Sequence, residues 1–89
     1  MKTGIELIAY EREEQLIKHQ ITIDKDIEQN DDHELAQGAI MLLTCEINNK
    51  PEKWDRKKCR HMNEKSYKDR LIIAGALIAA EIDRLQSYC

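Results

Sequence analysis

The sequence predicts an all-α fold: a small helical bundle of three main helices plus a short helical insert, built as one domain over residues 1–89. Three observations lead to this prediction. The chain contains only three Gly and one Pro, too few for a turn-rich all-β fold. Apolar residues recur with the 3.6-residue period of an α-helix in three stretches. Two of these stretches follow a Thr or Ser with an acidic residue three positions later, the pattern that caps a helix N-terminus.

The first helix is predicted to run from the capping box Thr3-Gly4-Ile5-Glu6 to about His19. One face of it carries the apolar residues Ile5, Ile8, Ala9 and Leu16. The same stripe is continued by the polar residues Arg12, Gln15 and His19. The sequence therefore predicts polar side chains on a face that should be buried.

The second helix is predicted to follow an acidic, loop-like stretch over residues 24–32. Asp31 is the expected N-cap, because Glu34 stands three residues later. The helix should run to about Ile47 and stop at Asn48-Asn49-Lys50-Pro51. Its apolar run includes Cys45, which we expect in the core.

Residues 51–65 are basic and only weakly periodic, and Trp54 is their one large apolar group. The last helix should begin at Ser66-Tyr67-Lys68-Asp69 and run to about Gln86. We expect its core face to consist of Leu71, Ala74, Gly75, Leu77, Ile78, Ile82 and Leu85.

The last helix is apolar nearly all round between Leu71 and Ala80. A helix without a polar face is buried on more than one side, and 89 residues supply little cover. We therefore expect a homo-oligomer that associates through this C-terminal helix. The small pairs Gly75/Ala79 and Ala76/Ala80 would let a partner helix approach closely.

The charge of the chain is unevenly placed, although its net value is only −3. Residues 24–49 hold seven acids and one Lys, whereas residues 50–70 hold nine Lys or Arg and four acids. These segments are either two solvated faces, or they meet between subunits, or the basic one binds an anion. Overall acidity and the single Trp argue against nucleic acid as a partner.

The sequence favours a cytoplasmic protein that does not contact a membrane. The longest apolar run is ten residues, about half of what a membrane span needs. Three cysteines, an odd number, and a charged N-terminal helix without signal-peptide character predict free thiols in a reducing compartment.

Known metal motifs fit the sequence poorly, so no cofactor is expected. A calcium loop started at Asp24 would place Gln29 where Gly is needed and Leu35 where a bidentate Glu is needed. Nucleotide pyrophosphohydrolases of the MazG type hold Mg²⁺ on carboxylate pairs three residues apart, a spacing that Glu11 and Glu14 have. Because the last helix offers only Glu81 and Asp83, two apart, this enzyme remains the alternative function rather than the first.

The chain resembles a group of small phage and prophage proteins. The resemblance lies in Glu11-Arg12-x-x-Gln15, in Asp31-Asp32-x-Glu34-Leu35-Ala36, in the Trp-containing insert and in the closing run from Ala74 to Leu85. It implies a phage protein that acts in the host cytoplasm, and it implies no particular activity. Phage proteins of this size often counter host defence.

The candidate binding site consists of polar residues on apolar helix faces and the residues expected near them. They are Arg12, Gln15, His19, Asp31, Asp32, His33, Trp54, Tyr67, Glu81 and Arg84. In one interpretation Arg12 and Glu81 form an ion pair, within or between subunits, that sets helix register. In the other they line a pocket in which Arg12 clamps a phosphate through its guanidinium fork.

In the pocket interpretation the remaining residues recognise the rest of a nucleotide. Gln15 would read a base or ribose, and His19 or His33 would supply a further donor. Asp31 and Asp32 would bind ribose hydroxyls. Trp54 or Tyr67 would stack on a base, although Trp54 could equally be a core plug.

We therefore expect a non-enzymatic, phage-encoded binding protein that acts as a homo-oligomer. Its partner is expected to be a nucleotide-derived signal of host defence or a host defence protein.

Overall fold

The computed structural model describes residues 1–18 and 33–87, and every regular element within them is a helix. Four α-helices follow one another: α1 Gly4–Ile17, α2 Glu34–Thr44, α3 Arg56–Asn63 and α4 Tyr67–Gln86. A 3-10 turn, Ile47–Asn49, lies between α2 and α3. The predicted all-α fold with a short helical insert is confirmed. In the described ranges no helix has both the length and the apolar character that crossing a membrane requires.

The N-terminal ends of α1 and α4 are formed by the caps that the sequence predicts. Thr3 Oγ1 accepts from the Glu6 amide at 3.3 Å, and Glu6 Oε1 accepts from the Thr3 amide at 3.0 Å. Ser66 Oγ accepts from the Asp69 amide at 3.2 Å. Each cap satisfies amides that the first turn leaves unpaired, so both starts are set locally.

The ends of α2 differ from the prediction. The N-cap is His33, at φ 67°, and its side chain makes no capping hydrogen bond. The prediction of Asp31 as the N-cap is therefore wrong, and Asp31 itself lies outside the described residues. At the other end Cys45 adopts φ 54°, and its amide donates to Met41 O. A left-handed residue ends a helix, so α2 stops before reaching Ile47.

The same turn carries Cys45 out of the core. Cys45 is exposed, so the prediction that it is a core residue is wrong. Cys59 of α3 is the buried thiol instead, at 1% exposure.

The core lies between α2 and α4, which run antiparallel. The antiparallel order follows from three contacts: His33 Nδ1 with Glu81, a position beside Gly38 with Leu77, and Leu42 O with Arg70 Nη1. The buried side chains that this pair contributes are Leu35, Ala39, Met41, Leu42, Ile73, Ala74, Leu77 and Ala80.

The insert is fastened to the core by Trp54 and by Lys50. Trp54 packs against the core, and its ring occupies the space that a Cβ at Gly38 would need. Lys50 Nζ donates to the carbonyl oxygens of Pro51, Glu52 and Trp54 at 3.0, 3.1 and 2.9 Å. The ammonium group thereby closes the loop that positions the Trp54 ring. The plug interpretation of Trp54 thus agrees with its packing.

The buried side of α4 differs in part from the predicted core face. Ala74 and Leu77 are buried as expected. Four members of the predicted face are substantially exposed: Leu71 at 39%, Ile78 at 45%, Ile82 at 50% and Leu85 at 48%. The buried positions include Glu81 and Arg84. The inward side of α4 therefore combines small and aliphatic residues with Glu81 and Arg84, while an apolar stripe faces outward.

The small residue Gly75 accommodates α1 of the same chain. An ideal Cβ at Gly75 would lie 2.7 Å from Ile8 Cδ1, so the absent side chain makes room for Ile8. The expectation that this position admits a helix of another copy is corrected by this contact.

Candidate functional site

Five polar side chains are at least nine-tenths buried where α1, the start of α2 and the end of α4 meet. We call them the polar cluster: Arg12 (8% exposed), Gln15 (3%), Glu34 (4%), Glu81 (8%) and Arg84 (3%). Charged residues are seldom buried unless they are paired or serve a ligand. Four of the five, all except Glu34, are residues that the sequence singled out as candidate site residues.

Arg12 pairs with Asp83 rather than with Glu81. Arg12 Nη2 lies 3.3 Å from Asp83 Oδ2, and the Asp83 side chain is 41% exposed. The pair joins α1 to α4. Arg12 therefore does pair with a carboxylate near the end of the last helix, but with Asp83 and not with the predicted Glu81.

Glu81 is held by two other side chains. Arg84 Nε donates to Glu81 Oε1 at 2.5 Å, one turn along α4. His33 Nδ1 lies 3.4 Å from Glu81 Oε2, with its ring 71% exposed. The hydrogen bond from Arg84 lowers the pKa of Glu81 despite the opposing effect of burial. The carboxylate is therefore the stable form of Glu81 within the cluster.

Glu34 connects the polar cluster to the insert. Lys53 Nζ lies 3.7 Å from Glu34 Oε2, and the Glu34 side chain is only 5% exposed. This contact brings the basic segment to the first turn of α2.

The amide oxygen of Gln15 is buried without a hydrogen-bond partner in the structure. A buried unsatisfied carbonyl costs about 1–3 kcal/mol, and such atoms in folded proteins call for an explanation such as a water or a ligand. Gln15 also lines a wide groove.

That groove, of about 1430 Å³, runs between α1 and α3. Its apolar floor is largely closed to solvent, since Leu35 and Cys59 are 0% and 1% exposed. Its accessible side carries exposed cations that we call the basic wall: Lys53, Lys57, Lys58, Arg60 and Lys65. Three acids, Glu11, Asp55 and Glu64, also line it, so the lining is net positive. The arrangement suits an anion with an apolar part.

The other candidate residues lie in different places. His33 joins the polar cluster through Glu81, whereas Tyr67 is 62% exposed at the start of α4 and lines neither the groove nor the cluster. Tyr67 stacks with the Arg70 guanidinium, 5.4 Å from its ring centre. His19, Asp31 and Asp32 lie outside the described residues.

Within residues 1–18 and 33–87, no group of three or more His, Cys, Asp or Glu side chains is arranged to hold a metal ion. Glu11 and Glu14, the pair with the spacing of the MazG type, lie in this part of the chain.

Sequence reasoning missed Lys53, Glu34 and the basic wall as parts of the site. Glu34 was expected to serve a helix cap, and its burial arises only because α2 begins against α4. The sequence shows the basic wall as a stretch of positively charged residues, but such a stretch does not show which part of the fold its side chains line.

Comparison of the chain with protein-family models, with curated proteins and with solved structures finds no match. The function is therefore argued from the residues themselves.

Proposed function

We propose that the protein is a non-enzymatic binding protein whose ligand is a phosphate-bearing, nucleotide-like molecule held in the groove between α1 and α3. The observation that carries the proposal is the buried amide oxygen of Gln15, without a partner, beside a groove with a basic wall. A ligand that donates a hydrogen bond to this oxygen and carries phosphate would satisfy the oxygen and would also bind the basic wall.

The chemistry of the groove assigns different parts of the ligand to its two sides. Lys57, Lys58 and Arg60 offer the exposed ammonium and guanidinium groups that bind phosphate oxygens. The Gln15 side chain offers the paired donor and acceptor of an amide, which suit the edge of a base or a ribose hydroxyl. The half-buried Trp54 contributes an aromatic edge to the floor.

The biological setting that we propose comes from the resemblance to small phage proteins. The protein is phage-encoded, acts in the host cytoplasm and counters host defence by sequestering a nucleotide-derived signal. It works as a homo-oligomer that associates through α4. The support for the oligomer is the exposed apolar stripe of α4.

Calorimetric titration of the purified protein with ATP, GTP and 3′,3′-cyclic di-AMP tests the ligand class. We expect binding of at least one of them, which weakens as salt is raised, and recovery of the intact nucleotide after heat denaturation. Turnover of the nucleotide in the presence of Mg²⁺ would support the MazG-type enzyme instead. A host protein that co-purifies, with no binding of any nucleotide, would contradict the proposal in favour of a protein partner.

Gln15→Leu separates a ligand role from a structural one. Leucine fills a similar volume and removes the unsatisfied oxygen, so we expect the melting temperature to stay or rise while nucleotide affinity falls. The matched control is Gln37→Leu, an exposed amide on α2 that does not line the groove. If both variants bind nucleotide like the parent chain, the groove is not the site.

A further inference from the structure

Two side chains of α1 that accept hydrogen bonds, Glu11 and Gln15, line the groove between α1 and α3. They are four residues apart, so they lie about 40° apart around the helix and about 6 Å apart along it. Glu11 is half-buried, and Gln15 is only 3% exposed. Both side chains therefore border the groove from one side of α1.

The α1 side of the groove suits a ligand group that donates hydrogen bonds. Gln15 Oε1 is buried without a partner, so a donor that reaches it would remove the free-energy cost of leaving that oxygen unsatisfied. The ionised Glu11 carboxylate accepts hydrogen bonds and has none to donate, whatever else it contacts. It also repels a phosphate group at short range. The α1 side therefore favours a neutral, donor-rich group over the phosphate end of a ligand.

The α3 side of the groove has the opposite character. The five cations of the basic wall lie there, and they outnumber the two acids on that side, Asp55 and Glu64. The Asp55 carboxylate is engaged at the start of α3, where it accepts from the Lys58 amide at 3.0 Å. The floor includes Leu35 and Leu77, which are 0% and 3% exposed. A nucleotide is therefore oriented with its phosphates toward α3, the flat face of its base over the floor, and the edge of its base toward α1.

The common bases differ in what their Watson–Crick edges present to such a wall. Guanine presents two neighbouring donors, the N1–H group and the N2 amino group. Adenine and cytosine each place a ring-nitrogen acceptor beside their amino group, and uracil and thymine place one donor between two carbonyl acceptors. A ligand acceptor that faces Glu11 or Gln15 Oε1 gains no hydrogen bond and is repelled. Guanine is therefore the base whose edge best matches the α1 side.

We propose that the groove is selective for guanine nucleotides, and that Gln15 and Glu11 are the residues that determine this selectivity. The inference rests on the proposed function and names the ligand class within it. The guanine ring covers the apolar floor, and its N1–H and N2 amino groups donate to the two α1 side chains. The phosphates contact the basic wall.

Calorimetric titration of the full chain with GTP, ITP and ATP tests the selectivity. ITP is GTP without the N2 amino group, so the comparison isolates one donor. We expect GTP to bind about tenfold or more tightly than ITP, because the analogue leaves a buried acceptor without a partner. ATP should be disfavoured at least as strongly. Equal affinities, or tighter binding of ATP, would overturn the guanine selectivity and leave the proposed phosphate ligand standing. Binding of none of the three would overturn both.

Gln15→Met and Glu11→Gln test which residues read the base. Methionine keeps the length of Gln15 and removes its amide, so GTP affinity should fall about tenfold and the preference for GTP over ITP should shrink. Glu11→Gln keeps the shape and adds an N–H donor, so it should raise the affinity for ATP relative to GTP. Glu13→Gln, exposed on α1 and outside the groove lining, is the matched control and should leave the three affinities unchanged.

Circular dichroism confirms that each variant keeps the helical fold. If folded Gln15→Met and Glu11→Gln both keep the parent preference for GTP, α1 does not read the base and the proposal is wrong.

Discussion

Arg12 Nη2 lies 3.3 Å from Asp83 Oδ2, and this contact joins α1 to the last turns of α4. The guanidinium side of the pair is buried and the carboxylate side is partly open to water, with side-chain exposures of 9% and 41%. Such a half-buried pair positions α1 more firmly than a surface pair would. The buried guanidinium of Arg12 cannot replace its contact with Asp83 by contacts with water without a cost in free energy.

We expect Asp83→Asn to lower the free energy of unfolding by about 1 kcal/mol, since one partner remains partly hydrated. Arg12→Ala should lower it by about 2 kcal/mol, because it also removes the packing of the side-chain stem. Urea denaturation measures both. Lys18→Met, which breaks the exposed pair with Glu14, is the control and should change stability by less than about 0.5 kcal/mol.

Arg12→Ala also tests the ligand role of Arg12. If this variant melts earlier but binds nucleotide as the parent chain does, Arg12 is a structural residue only.

Gly38→Ala should destabilise the fold by about 1–3 kcal/mol, because the new methyl group would overlap the Trp54 ring. Gly75→Ala should cost less, since it meets the flexible end of Ile8. Gly4→Ala meets nothing within 4 Å and should leave the fold unchanged or stabilise it.

Thermal denaturation of the three glycine variants checks this order. Trp54→Leu combined with Gly38→Ala should recover part of the loss, because the side chain responsible for the overlap is removed. An unchanged melting temperature for Gly38→Ala would show that Trp54 does not pack there.

Stability should depend on pH through Glu81. Its pKa is lower in the folded chain than its ordinary value of 4.5, mainly because Arg84 donates a hydrogen bond to it. Its contribution is therefore present above about pH 4.5 and is lost as the pH falls through the folded pKa. In unfolding titrations from pH 6 to pH 3, Glu81→Gln should lose less stability than the parent chain. Glu13→Gln, an exposed carboxylate on α1, should follow the parent curve closely.

The two cysteines of the described chain should differ in reactivity. Cys45 is exposed, whereas Cys59 is 1% exposed and burial raises the pKa of its thiol. In a Cys89→Ser background we expect a thiol reagent to modify one cysteine rapidly and the second only on unfolding. Peptide mapping should assign the rapid site to Cys45. Rapid modification of Cys59 would contradict the packing of α3 on the core.

The polar cluster shows what could be predicted of the site and what could not. Arg12 and Gln15 were identifiable because they continue an apolar stripe at helical spacing, and both are buried. The partner of Arg12 was not identifiable, because spacing along a helix does not show which face of α4 meets α1. The contact of Lys53 with Glu34 could not be predicted either, because it depends on how the insert folds back onto α2.

The sequence by itself determined the helical class and the starts of α1 and α4. Those starts depend on hydrogen bonds between residues three apart, Thr3 with Glu6 and Ser66 with Asp69. Such local hydrogen bonds form regardless of how the helices pack against one another. Only the tertiary structure decided the ends of α2 and the buried side of α4. A helix that is apolar nearly all round has no preferred inward side. The packing of α1 and α2 against α4 therefore decides which side is buried, and it leaves Ile78 and its neighbours exposed.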